Sequence, residues 1–328
     1  MQRRETQYNE SKVDDVVLKH EDRIRQRKTG LKAKTTSKTT KFLKKIPIII
    51  LIAVMTVFAV YKVRPDLVYR AIPASFFKFL NGVKTDIKVL DPGKLNTKSM
   101  DITEFINGDK VTYNYDLLLI NKDYMLESTF EPNLKSYDDN ITLSPGVYEN
   151  FKNMTEEISK KGLAKLNVIS TYRTRGEQTE AYAEDQVTTA PPGASEHEAG
   201  LAIDVYTPGF AGLAFIKSET GLWVNENSWK HGFIVRYQKY KDDITGIPFE
   251  PWHLRYVGAP HAEIMYDKDL VLEEYLSFLK GEQGKFISTG NYLVTMQNGS
   301  KISVPEKYDS ATISYTENGY FIATFKVK

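Results

Sequence analysis

Two short motifs hold the side chains able to do chemistry together. The first is Ser195-Glu196-His197-Glu198-Ala199-Gly200-Leu201-Ala202-Ile203-Asp204, and the second is Glu250-Pro251-Trp252-His253. Between them they supply two imidazoles, a carboxylate at metal-ligand spacing and a further glutamate. A catalytic zinc site commonly has three N or O protein ligands and keeps a fourth position open for water. The pattern points to His197, Asp204 and His253 as ligands, with Glu250 as the base that takes a proton from water. Such a set suits hydrolysis by metal-activated water, and on that reading a zinc peptidase is expected.

The elements that must position these groups are legible around them. Leu201 to Tyr206 reads as a short strand, with Ala202 and Asp204 on one face and Leu201, Ile203 and Val205 on the other. Gly200 permits a turn that swings His197 back toward Asp204. Trp252 to Val257 reads as a second strand, with Trp252 and His253 facing opposite ways. Glu250 stands three residues before His253, beside a proline that fixes the local backbone. That spacing suits a base close to the metal but not bound to it. Blander roles exist for single residues: a strand-end cap for Asp204, a surface charge for Glu250. An Asp within an apolar strand is costly to bury unless paired or metal-bound, however, and the two motifs together make coincidence a poor account. His20, His231 and His261 stand alone and read as packed or surface residues, His231 ending a helix before Gly232.

Other nucleophiles are excluded. Ser-x-x-Lys occurs at Ser75 to Lys78 and at Ser277 to Lys280, but the Lys28-Thr29-Gly30 triplet precedes both, the wrong order for a penicillin-binding serine carboxypeptidase. There is no Gly-x-Ser-x-Gly elbow. With no cysteine in the chain, a thiol nucleophile and a Cys-based zinc site are both ruled out.

The motifs resemble those of the VanY-type D-alanyl-D-alanine carboxypeptidases. These lie within a wider family of zinc peptidoglycan peptidases that includes L,D-carboxypeptidases and VanX-type dipeptidases. The family pattern Ser-x-His-x-x-Gly-x-x-x-Asp followed by Glu-x-x-His is matched at Ser195, His197, Gly200, Asp204, Glu250 and His253. Further matches are Ser170-Thr171-Tyr172-Arg173 with Gln178, Gly232 to Tyr237, Thr245-Gly246-Ile247 and Arg255 to Gly258. The likeness runs from about Leu117 to Lys280, with Thr171 standing where the family often has glycine. It implies that Arg173 faces the substrate, on its terminal carboxylate or the developing oxyanion, since a planar guanidinium gives two charge-assisted bonds. It also implies hydrogen bonds to the peptide from Gln178 and Ser195, and a pocket lined by Tyr237 and Trp252. Ordinary core packing is an equal account of the two aromatics. The cofactor implied is Zn2+ and the substrate a peptidoglycan stem peptide. Removal of a terminal D-Ala is the expected activity. Cleavage of the tetrapeptide by an L,D-carboxypeptidase, or catalytically silent wall binding, are the rival readings. The motifs do not separate D,D from L,D cleavage, and selectivity is expected in loops around 190–194 and 208–227.

The remainder of the chain bears on location. Residues 46–61 carry no charged side chain. At about 1.5 Å per residue they span roughly 24 Å, a little short of a hydrocarbon core of about 30 Å, with Phe42, Leu43 and Val63 extending the run. Residues 1–45 hold 14 Lys+Arg against 6 Asp+Glu, net +8, which leaves 30 against 36, net −6, for the rest. This places the basic flank in the cytoplasm and the catalytic part outside. A cleaved signal peptide fits less well, because the basic region is long and no Ala-x-Ala site follows the apolar run. The tail reads as a solvated, topology-setting flank rather than a nucleic-acid binder. Lack of cysteine in an outward-facing protein agrees with a Gram-positive surface.

The expected organisation is a basic cytoplasmic tail (1–45), a transmembrane helix (46–64), a spacer (65–110), a zinc carboxypeptidase domain (111–281) and a small β domain (282–328). The catalytic part reads as one α+β domain with a small antiparallel sheet carrying the metal site. Within it Tyr115 to Ile120 reads as a strand. Pro145 to Lys161 reads as an amphipathic helix with Val147, Phe151, Met154 and Ile158 on one face. Leu166 to Thr171 reads as a strand, and Gly176 to Val187 and Leu270 to Lys280 as helices. The C-terminal part reads as two hairpins turning at Asn298-Gly299 and Asn318-Gly319.

Overall fold

The structure is a computed structural model that describes residues 46–64, 67–68, 85–138, 140–316 and 320–328. The basic tail with His20, and residues 65–66 and 69–84 of the expected spacer, lie outside the described residues. Two compact units are present, Met1–Val63 and Arg64–Lys328. The first is described through one helix, α1 (Ile46–Val63), in which Leu51, Ile52, Met55 and Phe58 are exposed. Side chains within α1 are described from 51 to 60. Among the described residues, no helix is long and apolar enough to cross a membrane.

The second unit begins with β1 (Lys88–Leu90), β2 (Thr97–Asp101), α2 (Ile102–Ile106) and β3 (Val111–Asn114). A small ribbon of β4 (Lys135–Asp138) and β5 (Ile141–Leu143) leads into α3 (Pro145–Lys160), β6 (Asn167–Ser170) and α4 (Arg175–Glu184). Then come β7 (Ala202–Tyr206), α5 (Glu219–Asn227), β8 (Phe233–Val235), α6 (Asp242–Thr245), β9 (His253–Tyr256), α7 (Ala259–Lys268) and α8 (Leu272–Gly281). Strands β10 (Phe286–Thr289), β11 (Tyr292–Gln297), β12 (Lys301–Pro305), β13 (Ser310–Tyr315) and β14 (Phe321–Lys326) complete the chain.

The sheet that matters for chemistry has the order β6-β7-β9-β8 and is antiparallel throughout, as the α+β reading requires. Leu201, Ile203 and Val205 turn to one side of it and pack against Val147, Phe151, Met154 and Ile158 of α3. These four recur at helical spacing, so one apolar stripe closes the core. Pro145 sits in the first turn of α3, where its missing N–H costs nothing, and Gly162 follows the helix in the left-handed region at φ 71°. With three aliphatic side chains committed to α3, alternation turns Asp204 to the opposite face. The register then sets Asp204 beside both Ser170 and His253.

Three expectations differ from the structure. Tyr115 to Ile120 is not a strand. Leu117 and Ile120 are buried, but the carbonyls of Asp116 and Leu118 accept hydrogen bonds from the Arg255 guanidinium at 2.8 Å each, so they need no neighbouring strand. The described part of the expected spacer is structured. β1 pairs with β10, β2 with β12, and β3 runs parallel to β13, while Phe105 of α2 is buried beside Phe325 and Tyr308. The six-stranded sheet β1-β10-β11-β14-β13-β3 thus draws strands from both ends of the unit. The Asn298-Gly299 turn exists, with Gly299 at φ 92°, but its flanking strands do not pair with each other. β12 leaves to join β2, and Gln297 spans the gap with its side chain, donating to Ser303 O and accepting from Ser303 N at 2.8 Å each. The second hairpin forms between β13 and β14, its turn at 317–319 lying outside the described residues.

The two sheets are joined through helices. Leu272, Tyr275 and Leu279 of α8, with Ile264 and Met265 of α7, share one core with Ile287, Val294, Met296 and Ile322. His261 lies inside this junction, its Nδ1 2.7 Å from the Tyr275 hydroxyl and its Nε2 2.9 Å from that of Thr324. Burial pushes its pKa down to about 3, so it is a neutral packing residue, as expected for a lone histidine. His231 closes a short turn before Gly232 and meets Glu157 at 3.0 Å.

Candidate metal centre and active site

His197 lies on a single 3-10 turn, Glu196–Ala199, between the loop after α4 and β7. Gly200 ends that turn in the left-handed region at φ 66°, ψ 23°. A side chain here would be strained, and its Cβ would stand 3.2 Å from the Ser144 amide nitrogen and closer still to Leu134. The turn brings His197 over Asp204: its Nε2 is 3.1 Å from Asp204 Oδ2. β9 brings His253 to the same carboxylate, with Nδ1 2.9 Å from Asp204 Oδ1. The two imidazoles stand nearly perpendicular at 87°, with centroids 5.0 Å apart.

Each ring is held at its far nitrogen. His197 Nδ1 donates to the Thr171 carbonyl at 2.6 Å, which leaves Nε2 with a lone pair. His253 Nε2 lies 3.3 Å from Glu196 Oε2, so a proton there leaves the Nδ1 lone pair pointing at Asp204. Buried His197 Nε2 finds no hydrogen-bond partner although a carboxylate oxygen is adjacent. Two acceptors face each other, and a cation between them resolves the contact. One ligand atom from each of His197, Asp204 and His253 falls within 4.8 Å of the others, the only such trio among the described residues. Two imidazoles and a carboxylate with an open side suit zinc.

Burial raises an isolated carboxyl's pKa. At Asp204 the His197 and His253 rings outweigh burial and hold the group well below its usual range. Burial lowers His197, whereas at His253 the carboxylates of Asp204 and Glu196 overcome burial and raise the pKa to about 9. Glu250 has no such compensation. Its burial dominates and lifts the carboxyl to about 8, with Asp204 adding to the rise and His253 opposing it. Its nearest oxygen is 4.0 Å from His253 Nδ1, near the trio but outside it. A divalent cation bound there would draw Glu250 back down, into the range of a base at neutral pH.

The trio opens on a cavity of about 110 Å³ lined by Arg173, Gln178, Ser195, Tyr237, Glu250 and Trp252, together with Thr188, Thr189 and Ala190. Every residue expected in the site is therefore brought together. Arg173 sits just before α4, whose start is fixed by a capping box between Thr174 and Glu177. Its buried Nε has no partner, and its Nη2 is 3.9 Å from Asp204 Oδ2. Tyr237 places its ring 4.8 Å from that of His253, and Trp252 both lines the cavity and packs on the core. Gln178 donates to the Ala190 carbonyl at 2.6 Å, so it also holds the loop over the cavity. Asp185 pins the same loop by accepting from the Val187 and Thr188 amides at 2.8 and 3.1 Å. Of the two loops expected to set selectivity, the first contributes Ala190, joined by Thr188 and Thr189 from just before it. The stretch 208–227 contributes none of the lining.

The sequence reading missed Glu196. This fully buried carboxylate accepts from Arg236 Nε at 2.6 Å and Arg255 Nη1 at 2.8 Å, and turns its other oxygen to His253. The Arg236 charge, then that of Arg255, outweighs burial and keeps it ionised. Its neighbour Glu198 pairs with Arg175 and accepts from the Gly193 amide at 2.6 Å, which fixes the loop entering the turn.

A family model described as VanY, D-alanyl-D-alanine carboxypeptidase, matches residues 140–259, the stretch containing every residue of the trio and cavity. A "Bifunctional D-Ala-D-Ala dipeptidase and D-Ala-D-Ala carboxypeptidase VanXYC" of Enterococcus gallinarum is 34% identical over 188 residues, 50% of this chain and 94% of that protein. The chain belongs to the VanY family. A D-alanyl-D-alanine carboxypeptidase of Enterococcus faecium is 37% identical over 203 residues, 57% of this chain. The chain spans 64% of that relative's length. Among solved structures, the vancomycin resistance D,D-dipeptidase VanXYg in complex with a D-Ala-D-Ala phosphinate analog matches with TM-score 0.56 and 27% identity, over 71% of this chain and 99% of that one. Membership of the VanY family agrees with zinc as the metal of the trio.

Removing an outer partner of a ligating histidine typically lowers metal affinity about 10- to 100-fold. Glu196→Gln is expected to weaken zinc binding by that order in a competition titration, with His253 still present. Unchanged affinity would show that the His253–Glu196 contact does not orient the ligand.

Proposed function

We propose that this protein is a membrane-anchored zinc D,D-carboxypeptidase that removes the terminal D-Ala from peptidoglycan stem peptides. The observation that carries the reading is the pairing of a cation-seeking His197–Asp204–His253 trio with an uncommitted buried carboxyl, Glu250, at one small cavity. The D-Ala-D-Ala activities of the Enterococcus relatives support the choice of substrate.

When bound, zinc supplies a Lewis acid that polarises the scissile carbonyl and acidifies water. Arg173, which lines the cavity and whose buried Nε has no hydrogen-bond partner, binds the substrate's terminal carboxylate or the oxyanion that develops from the scissile carbonyl. Glu250 takes the proton of the attacking water and delivers it to the leaving amine, so one residue serves as base and then acid. Ser195 and Gln178 offer hydrogen bonds to the peptide, while Tyr237 and Trp252 bound the space available to the departing alanine. No step involves a serine or thiol acyl-enzyme, so β-lactams are expected to leave the activity untouched and chelators to remove it.

No described helix is by itself long and apolar enough to cross a membrane, so the anchor is read from the sequence: the uncharged run 46–61, extended by Phe42 and Leu43 outside the described residues, and the basic flank before it. With that flank in the cytoplasm, the catalytic part stands outside, where the stem peptides of a Gram-positive wall lie. Deletion of residues 1–64 is expected to move the protein from the membrane to the soluble fraction. Retention on the membrane would contradict the anchor.

The activity is tested with matched stem pentapeptide and tetrapeptide in the presence of zinc, following D-Ala release by mass. Pentapeptide cleavage is expected, and Glu250→Gln should lower it by about 10²- to 10⁴-fold while zinc stays bound. Cleavage of the tetrapeptide alone would move the assignment to the L,D class. No release from either substrate by zinc-loaded protein would leave a wall-binding role.

A further inference from the structure

Glu196 orients His253, but it does not hold itself. Its oxygen Oε1 is fixed by two guanidiniums, and the one from Arg236 reaches beyond the site. Arg236 is wholly buried, and after its Nε bond to Glu196 its two terminal nitrogens donate to a single carboxylate, Glu273, at 2.9 and 2.7 Å. A carboxylate engaged at both tips of the fork fixes the plane of a guanidinium, and hence the direction of its third donor. Arg255 does not supply that constraint, because its other nitrogens bind backbone carbonyls of Tyr256, Asp116 and Leu118.

Glu273 lies in the first turn of α8 and accepts one more bond, from Asn121 Nδ2 at 3.0 Å. It falls outside the stretch matched by the family model. The flanking residues Leu272, Tyr275 and Leu279 bury themselves against β10, β11 and β14 of the larger sheet. We propose that Glu273 is a positioning residue for the metal centre, acting through Arg236 and Glu196 on the His253 ring and coupling that ring to the helix seated on the C-terminal sheet. The larger sheet then has a part in the chemistry: it fixes the helix from which the outer support of one metal ligand begins. The inference rests on the metal trio and is independent of which stem peptide is cleaved.

A merely structural role, that of counter-ion to a buried arginine, would alter stability and leave the metal alone. The test therefore reads metal binding in the full chain, by competition of zinc with a fluorescent chelator and by the visible absorption of the cobalt-substituted protein. Glu273→Gln is expected to weaken zinc affinity on the order of tenfold and to shift the cobalt bands. Glu274→Gln is the control. It removes an ion pair to Lys241, held at 2.8 Å, one residue further along the same helix, without a hydrogen-bonded path to His253 among the described residues, and is expected to keep zinc affinity within about twofold. If Glu273 acts through Glu196, the double variant Glu196→Gln with Glu273→Gln binds zinc no more weakly than Glu196→Gln alone. Wild-type affinity in Glu273→Gln, an equal loss in Glu274→Gln, or full additivity in the double variant would each overturn the proposal. Should Glu273→Gln fail to fold, Glu273→Asp keeps the charge and shortens the reach. Weaker zinc binding than in Glu274→Gln then supports the proposal, and unchanged binding overturns it.

Discussion

His197 Nε2, an Asp204 oxygen and His253 Nδ1 converge within 4.8 Å, and the buried Asp204 charge demands a cation among them, a proton on His253 or a divalent metal in its place. Much of the fold is arranged around that demand. The turn at Gly200, the register of β7 with β9 and the hydrogen bonds at the far side of each ring all serve to aim these three atoms at one point. The same crowding explains why Glu250, lacking a strong cationic partner of its own, is the carboxyl left able to carry a proton.

Behind the trio lies a second cluster of charge, Glu196 and Glu273 with Arg236 and Arg255, in which the two arginines and Glu196 are fully buried. Buried ion pairs are weak contributors to net stability, since desolvation offsets much of their attraction. Their value here is directional. A guanidinium presents donors in a rigid plane, and a carboxylate held by two of them can offer its remaining oxygen in only one direction. Orientation of a ligand is the use that best matches a cluster ending on His253.

The sequence made the local part of this legible. The stripe of Val147, Phe151, Met154 and Ile158 and the alternation through Leu201 to Val205 are one-dimensional patterns, so α3 and β7 were readable, and with them the facing of Asp204. The ligands were readable because histidine and aspartate are anomalous in such a setting. What depended on distant partners was not. Glu196 acquires its role from Arg236 and Arg255, 40 and 59 residues further on, and nothing next to it marks that role. Tyr115 to Ile120 is apolar enough for a strand but lends its carbonyls to Arg255. Lys88–Leu90 is only three residues long and Thr97–Asp101 is mostly polar, and only pairing with Phe286–Thr289 and with Lys301–Pro305 makes them strands.

The account turns on which atoms hold the metal. A crystal structure of the zinc-loaded protein, with anomalous scattering to place the ion, measures this directly. The geometry requires zinc on His197 Nε2, His253 Nδ1 and an Asp204 oxygen, with Zn–N distances of about 2.0–2.1 Å, His253 Nε2 still on Glu196 and Glu250 outside the coordination sphere. Zinc bound through His253 Nε2, or with Glu250 replacing Asp204 as a ligand, would contradict it.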